Sequence, residues 1–291
     1  MATPPHPAAL QLRAHVGMLA EAIGERNLWR HSALERAADY IFGKLEASGY
    51  SPARQTYEIS RLPVSNIDAA LAGARRPAEV LVVGAHYDTV SGCPGANDNA
   101  TGVAAMLELA ARFAGHPRPR TIRFVAFVNE EPPFFKTDQM GSLVYARAAR
   151  ARREQVIGML SLETMGYYSE AAGSQQYPGP VGMLYPDVGN FIGFVSNIQS
   201  ARLLMKARRA FKRRTRFPFQ SGALPAALPG VGWSDHWAFW QVGYRAMMVT
   251  DTAPFRYQWY HTADDTPDKI DYDKLAHVVD GLEAVVDALA R

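Results

Sequence analysis

Residues 80–99 read Val80-Leu-Val-Val-Gly84-Ala-His86-Tyr-Asp88-Thr-Val-Ser-Gly92-Cys-Pro-Gly-Ala-Asn-Asp98-Asn99, and this stretch decides the fold. An apolar run of strand length, 80–83, stops at Gly84 and delivers His86 and Asp88, two residues apart and so on one side of an extended chain. A loop punctuated by Gly and Pro leads to Asp98, and Val103, Met106, Leu107, Ala110 and Phe113 follow at helical spacing. Strand end, loop and helix start therefore converge. In an open α/β sheet ligands bind there, beyond the carboxyl ends of the strands.

The same pattern recurs downstream. Residues 121–128 read as a second strand that ends in Asn129-Glu130-Glu131, and residues 156–162 as a third that delivers Glu163. Helical spacing over 101–114 and 140–150 separates them, and strands alternating with helices predict a largely parallel sheet covered on both faces. Upstream, residues 8–23 read as a helix ending at Gly24. Ser32 and Glu35 have capping-box spacing for a second helix, with Leu34, Ala38, Ile41 and Leu45 on its apolar face and Gly49 as its stop. Residues 50–59 read as a strand, followed by a turn-rich segment around Pro63. Residues 166–231 loosen into Gly, Pro, Ser and Gln, and are expected to be an insertion or lid over the sheet that shapes a pocket, with a short strand at 181–185 and a helix at 198–214. A last strand at 245–250 leads through aromatic residues to His261. Asp271 then caps a final helix. Nothing resembles a linker or repeat, so residues 1–291 are expected to form a single domain.

The chain has 291 residues, 48% of them hydrophobic, enough for one large core. Its 31 basic and 28 acidic residues give a mild net charge of +3, which makes no case for nucleic acid as a partner. Seven basic residues fall within 206–216 and read as a solvated helix face. The single Cys93 rules out an internal disulfide and fits a reducing compartment. The first residues show no basic stretch followed by an apolar one, and no apolar run is long enough to span a bilayer. The expectation is a cytoplasmic protein without membrane association.

Taken singly, each histidine or acid is ordinary, and His6, His15, His31, His116 and His277 read as hydrogen-bonded structural residues. His86, Asp98, Glu131, Glu163 and His261 differ, because all lie at strand ends or in the loops that follow them. Three carboxylates on one rim would repel each other and take up protons. A pair of divalent cations relieves that repulsion, and imidazole with carboxylate favours zinc, with cobalt or manganese as substitutes.

The series His86-Tyr87-Asp88, Gly95-Ala96-Asn97-Asp98-Asn99, Asn129-Glu130-Glu131, Met140-Gly141-Ser142, Ser234-Asp235-His236 and Tyr260-His261-Thr262 resembles the M28 family of zinc aminopeptidases, in the family's order. The resemblance implies a phosphorylase/hydrolase-like α/β three-layer sandwich with a mixed, largely parallel central sheet and a co-catalytic centre of two zinc ions. It implies that Asp98 bridges the ions, that His86 and Glu163 complete one site and Glu131 and His261 the other, and that Glu130 is the general base. It also implies a cis peptide between Asp98 and Asn99. Asp88 is expected to orient His86; Asp235, His236 and Tyr260 are expected around the site or its pocket. The implied reaction is hydrolysis of the N-terminal residue from peptides with a free amino terminus. Glu163 stands where Asp is common in the family, and residues 132–139 remodel the rim beside the base. The rival readings are a glutaminyl cyclase, a single-zinc acyl transferase, and a non-catalytic binding module on the same fold; the intact ligand set argues against the last.

Overall fold

The computed structural model describes residues 6–291, so the leader-free reading of residues 1–5 lies outside it. The chain runs through α1 (Ala9–Gly17), α2 (His31–Ala47), β1 (Ala53–Ile59), β2 (Leu62–Leu71), β3 (Arg76–His86), α3 (Thr101–Phe113), β4 (Arg120–Phe127) and α4 (Gly141–Ala151). It continues through β5 (Gln155–Glu163), β6 (Ile192–Asn197), α5 (Ala201–Arg214), β7 (Phe219–Leu224), α6 (His236–Gln241), β8 (Ala246–Thr250) and α7 (Tyr272–Ala290).

One eight-stranded sheet, in the order β1-β2-β4-β3-β5-β8-β6-β7, carries the molecule. Strands β4, β3, β5 and β8 are parallel, whereas β1, β2 and the β8–β6 junction supply antiparallel pairs. Period-two alternation makes β3 central: Leu81, Val83 and Ala85 enter one apolar core, Val80 and Val82 the other. Helices α1, α2, α3, α5 and α7 pack on the first face, α4 and α6 on the second, which makes three layers. From β3 the chain crosses by α3 to β4, then returns by α4 to β5 on the other side of β3. The carboxyl ends of β3 and β5 therefore flank a point where the winding reverses, and the crevice opens there.

The structure departs from the sequence reading in four places. Strand β2 occupies the segment around Pro63 that reads as turn; Ser60 and Arg61, both at positive φ, close a tight hairpin, and Pro63 pairs with Glu58 beside it. Its polar residues misled the pattern because they are buried between strands: Asn66 accepts from Val128 N–H at 3.0 Å and donates to the Gly141 carbonyl at 2.8 Å. The capping box at Ser32 is not formed. Helix α2 begins at His31 after a 3-10 turn (Leu28–Arg30), which Asn27 caps by accepting from Arg30 N–H. Residues 181–185 form no strand; the glycines at 179 and 182 belong to a 3-10 turn, Gly179–Met183. Finally, 166–231 is more than a cover, since β6 and β7 extend the sheet itself. Helix α7 starts as expected, with Asp271 accepting from Lys274 N–H at 3.0 Å. No helix among the described residues is long and apolar enough to cross a membrane.

Candidate metal centre

Each candidate ligand is fixed by the backbone around it. Asp98 precedes a cis peptide to Asn99, as the resemblance implies. Asn99 ties the start of α3 to the end of β5: its Oδ1 accepts from Gly102 and Thr164 N–H, both at 3.0 Å, and its amide donates to the Leu162 carbonyl at 2.8 Å. Asp265, which the sequence reading missed, accepts from Asn97 N–H at 2.8 Å, Asp98 N–H at 3.1 Å and the Tyr257 hydroxyl at 2.7 Å. Asn129, Thr164 and His261, each next to or at a site residue, sit at positive φ, a strained conformation that surrounding structure must hold.

Arg26 was also missed, because nothing in its local sequence distinguishes it from a surface arginine. It is fully buried and donates to five carbonyls, of Leu19, Gly24, Tyr87, Pro94 and Gly95, so it anchors the loop between His86 and Asp98. Burial lowers its pKa to about 10, which leaves it cationic beside the carboxylates of Asp265, Asp88 and Asp98. Arg26→Met is expected to destabilise the fold by about 3 kcal/mol or more, because buried carbonyls lose their donors. Urea unfolding measures this, and a loss below about 1 kcal/mol would show that the loop holds without Arg26.

The five residues read as ligands converge. His86 Nε2 lies 3.3 Å from Asp98 Oδ1 and 3.3 Å from Glu163 Oε2; His261 Nε2 lies 3.1 Å from Asp98 Oδ2 and 3.3 Å from Glu131 Oε2. The two oxygens of Asp98 thus face different imidazoles. Donor atoms of His86, Asp98 and Glu163 cluster within 4.8 Å of one another, and so do those of Asp98, Glu131 and His261. Asp98 Oδ1, Glu131 Oε1 and His261 Nε2 are buried without a hydrogen-bond partner despite this proximity. Lone pairs that crowd together yet make no hydrogen bonds fit divalent cations between them.

The surrounding residues hold the candidate ligands in place. His86 Nδ1 donates to the Asp88 backbone carbonyl at 3.3 Å, with the carboxylate at 3.6 Å, which directs Nε2 into the site. The Asp88 carboxylate also accepts from Glu130 and Glu131 N–H, at 3.0 and 3.1 Å, and so aims the pair of glutamates. Ser234, whose role the sequence left open, donates to Glu163 Oε2 at 2.7 Å and shares a 2.7 Å hydrogen bond with Ser161, which steadies the longer carboxylate. Tyr260 stacks on His261 with ring centroids 3.8 Å apart. Asp235 is buried beside the site with neither oxygen hydrogen-bonded. His236 is not a pocket residue: it is buried in α6, bonded to the Val231 carbonyl at 2.8 Å and packed edge-on against Trp240, and burial lowers its pKa to about 4.

Electrostatically the side chains of the cluster are by themselves short of positive charge. Burial pushes Glu130 and Glu163 up, and takes Glu131 and Asp235 to about 7. Burial opposes protonation of His261, but Asp98 and Glu131 overcome it and raise that imidazole to about 10. The His6, His277 and Asp280 cluster differs. His6 Nδ1 accepts from Ala8 N–H, so Nε2 carries the proton toward Asp280 and keeps no lone pair for an ion.

A mixed sheet with an acidic, imidazole-bearing centre at its winding reversal defines a class, the metallopeptidases of α/β architecture. The chain belongs to peptidase family M28, whose profile matches residues 66–286. It is 39% identical over 290 residues to the uncharacterized protein YfbL of Escherichia coli K12, across 96% of this chain and 88% of that one. Its fold matches an aminopeptidase from Aneurinibacillus sp. strain AM-1 with a TM-score of 0.76 at 18% identity, over 97% of this chain and 94% of that one. It also matches a glutaminyl cyclase from Fimbriiglobus ruber with a TM-score of 0.73 at 19% identity, over 99% and 97%.

Proposed function

We propose that this metallopeptidase is a zinc-dependent aminopeptidase that removes the N-terminal residue from peptides, using two zinc ions. The observation that carries the reading is Asp98, whose two oxygens belong to two separate donor trios. His86, Asp98 and Glu163 would hold one ion, and Asp98, Glu131 and His261 the other. Bound zinc supplies Lewis acidity and lowers the pKa of an attacking water. The Glu130 carboxylate, buried and aimed by its N–H bond to Asp88, takes the proton from the nucleophile and returns it to the leaving amine. A cavity of about 110 Å³ shares Glu163 and Tyr260 with the centre, and Phe191, Phe194, Leu224, Trp233, Met248 and Phe255 line it. It suits the side chain of an N-terminal residue.

A free and an N-acetylated version of one peptide test the exopeptidase reading. Cleavage of the free peptide alone is expected, and equal cleavage of both would overturn it. The rival cyclase needs one ion, so elemental analysis at zinc saturation separates the two. Two zinc per chain are expected, with one lost in Glu163→Ala and both retained in Glu163→Asp. One tightly held ion in the unaltered protein, with His86 and Glu163 free, would favour the cyclase.

A further inference from the structure

The rim beside the base carries an unpaired cation that none of this chemistry uses. Residues 132–139 follow Glu131 directly and fold back on themselves: Phe134 N–H donates to the Glu131 carbonyl at 2.9 Å and Thr137 N–H to the Phe134 carbonyl at 2.9 Å. The Phe134 ring stacks on Trp29 at 6.0 Å, and Phe135 packs against the core beneath α4 and α6. The loop is therefore held on both sides rather than free. At its turn Lys136 adopts a φ of 59°, and its N–H donates to Met140 Sδ at 3.4 Å. The Lys136 ammonium rests over two rings, 5.0 Å from the Phe135 centroid and 5.5 Å from that of Trp237. Trp237 belongs to α6, the helix that follows Asp235. Its near acid, Asp138, is taken by Arg147 at 2.8 Å, and no described carboxylate lies within ion-pair distance of Lys136.

We propose that Lys136 is a specificity residue that binds a carboxylate on the residue just beyond the scissile bond, either the α-carboxylate of a dipeptide or an acidic side chain. The proposal rests on the aminopeptidase reading. Three observations lead to it. Glu130 must approach the leaving nitrogen to return its proton, so the leaving residue lies on the Glu130 side of the centre. The apolar cavity is lined by Glu163 and Tyr260 but not by Glu130 or Lys136, and takes the other part of the substrate. In a dipeptide the carboxylate is separated from the leaving nitrogen by a single carbon, which brings it to the rim where Lys136 stands. Glu130 is close enough for its charge to be felt at Lys136. The site is otherwise rich in carboxylates, so without this cation a substrate carboxylate would be repelled from it. The aromatic notch keeps the ammonium in place before substrate arrives and leaves its N–H donors free.

The test compares leucylglycine, leucylglycinamide and leucylaspartamide on the zinc-loaded enzyme and on Lys136→Met, Lys136→Arg and Lys136→Glu. The unaltered enzyme is expected to show kcat/KM about tenfold higher for the two carboxylate-bearing substrates than for leucylglycinamide, the size of one charge-assisted hydrogen bond at a partly exposed site. Lys136→Met should bring the ratio to about one, Lys136→Arg should keep most of it, and Lys136→Glu should reverse it. Raising ionic strength should shrink the ratio in the unaltered enzyme and leave it unmoved in Lys136→Met. Equal rates for all three substrates in the unaltered enzyme, or a Lys136→Met variant that slows all three alike, would overturn the role of Lys136 and leave the aminopeptidase reading standing. A fully loaded enzyme that hydrolyses none of the three would overturn both. An advantage for leucylglycine alone assigns the α-carboxylate as the partner, and one for leucylaspartamide alone assigns the side chain.

Discussion

Glu130→Gln is expected to lower kcat by about 10²- to 10⁴-fold while the protein keeps its full complement of metal. The amide has nearly the shape of the carboxylate but accepts no proton from the nucleophile, so positioning survives and proton transfer does not. The neighbour provides the contrast. Glu131→Ala removes a donor from the trio with Asp98 and His261, and is expected to lose metal as well as activity. The distinction is sharp because both backbone N–H groups are held by one carboxylate, that of Asp88, which leaves the two side chains free to diverge. Metal analysis beside turnover reads both variants; metal and activity retained in both would show that the roles of base and ligand are misassigned.

Stripping the metal is expected to abolish activity and to soften the whole fold. Ligand binding stabilises by about 4 kcal/mol when the free ion is a thousandfold above its Kd, and here the ion also relieves repulsion among buried carboxylates. Activity should return with zinc or cobalt. The pH dependence has a definite sign. In the ion-free chain His261 is raised to about 10 and Glu131 to about 7, so near pH 6 both hold protons that a cation must displace. Zinc affinity should therefore fall as pH drops through 7, by about tenfold per unit for each proton displaced. Competition with a chromophoric chelator at pH 6, 7 and 8 measures it, with Tm in the same buffers. Full activity in metal-free protein, or an affinity that strengthens toward pH 6, would sink this account.

The sequence by itself determined the sheet's central strands and the residues at their ends. Residues 80–83, 121–128 and 156–162 are predominantly apolar because most of them are buried, on both faces of the sheet, and that signal is local. His86, Glu130, Glu131 and Glu163 follow from it, since a strand end is legible wherever an apolar run meets polar residues. What only the tertiary structure decided is how those ends are held. Strand β2 hides behind Asn66, whose side chain is satisfied by backbone groups remote in sequence. Strands β6 and β7 lie in a segment whose glycines and prolines read as loop, yet they gain their hydrogen bonds by joining the sheet's edge. Arg26, Asp265 and Ser234 each reach a residue of the site region 61 or more positions away, and His236 is drawn from the rim into the α6 core by its contact with Trp240. Periodicity registers what a residue does with its near neighbours along the chain. A hydrogen bond between distant segments costs loop-closure entropy that only the completed sheet repays, so it leaves no local trace.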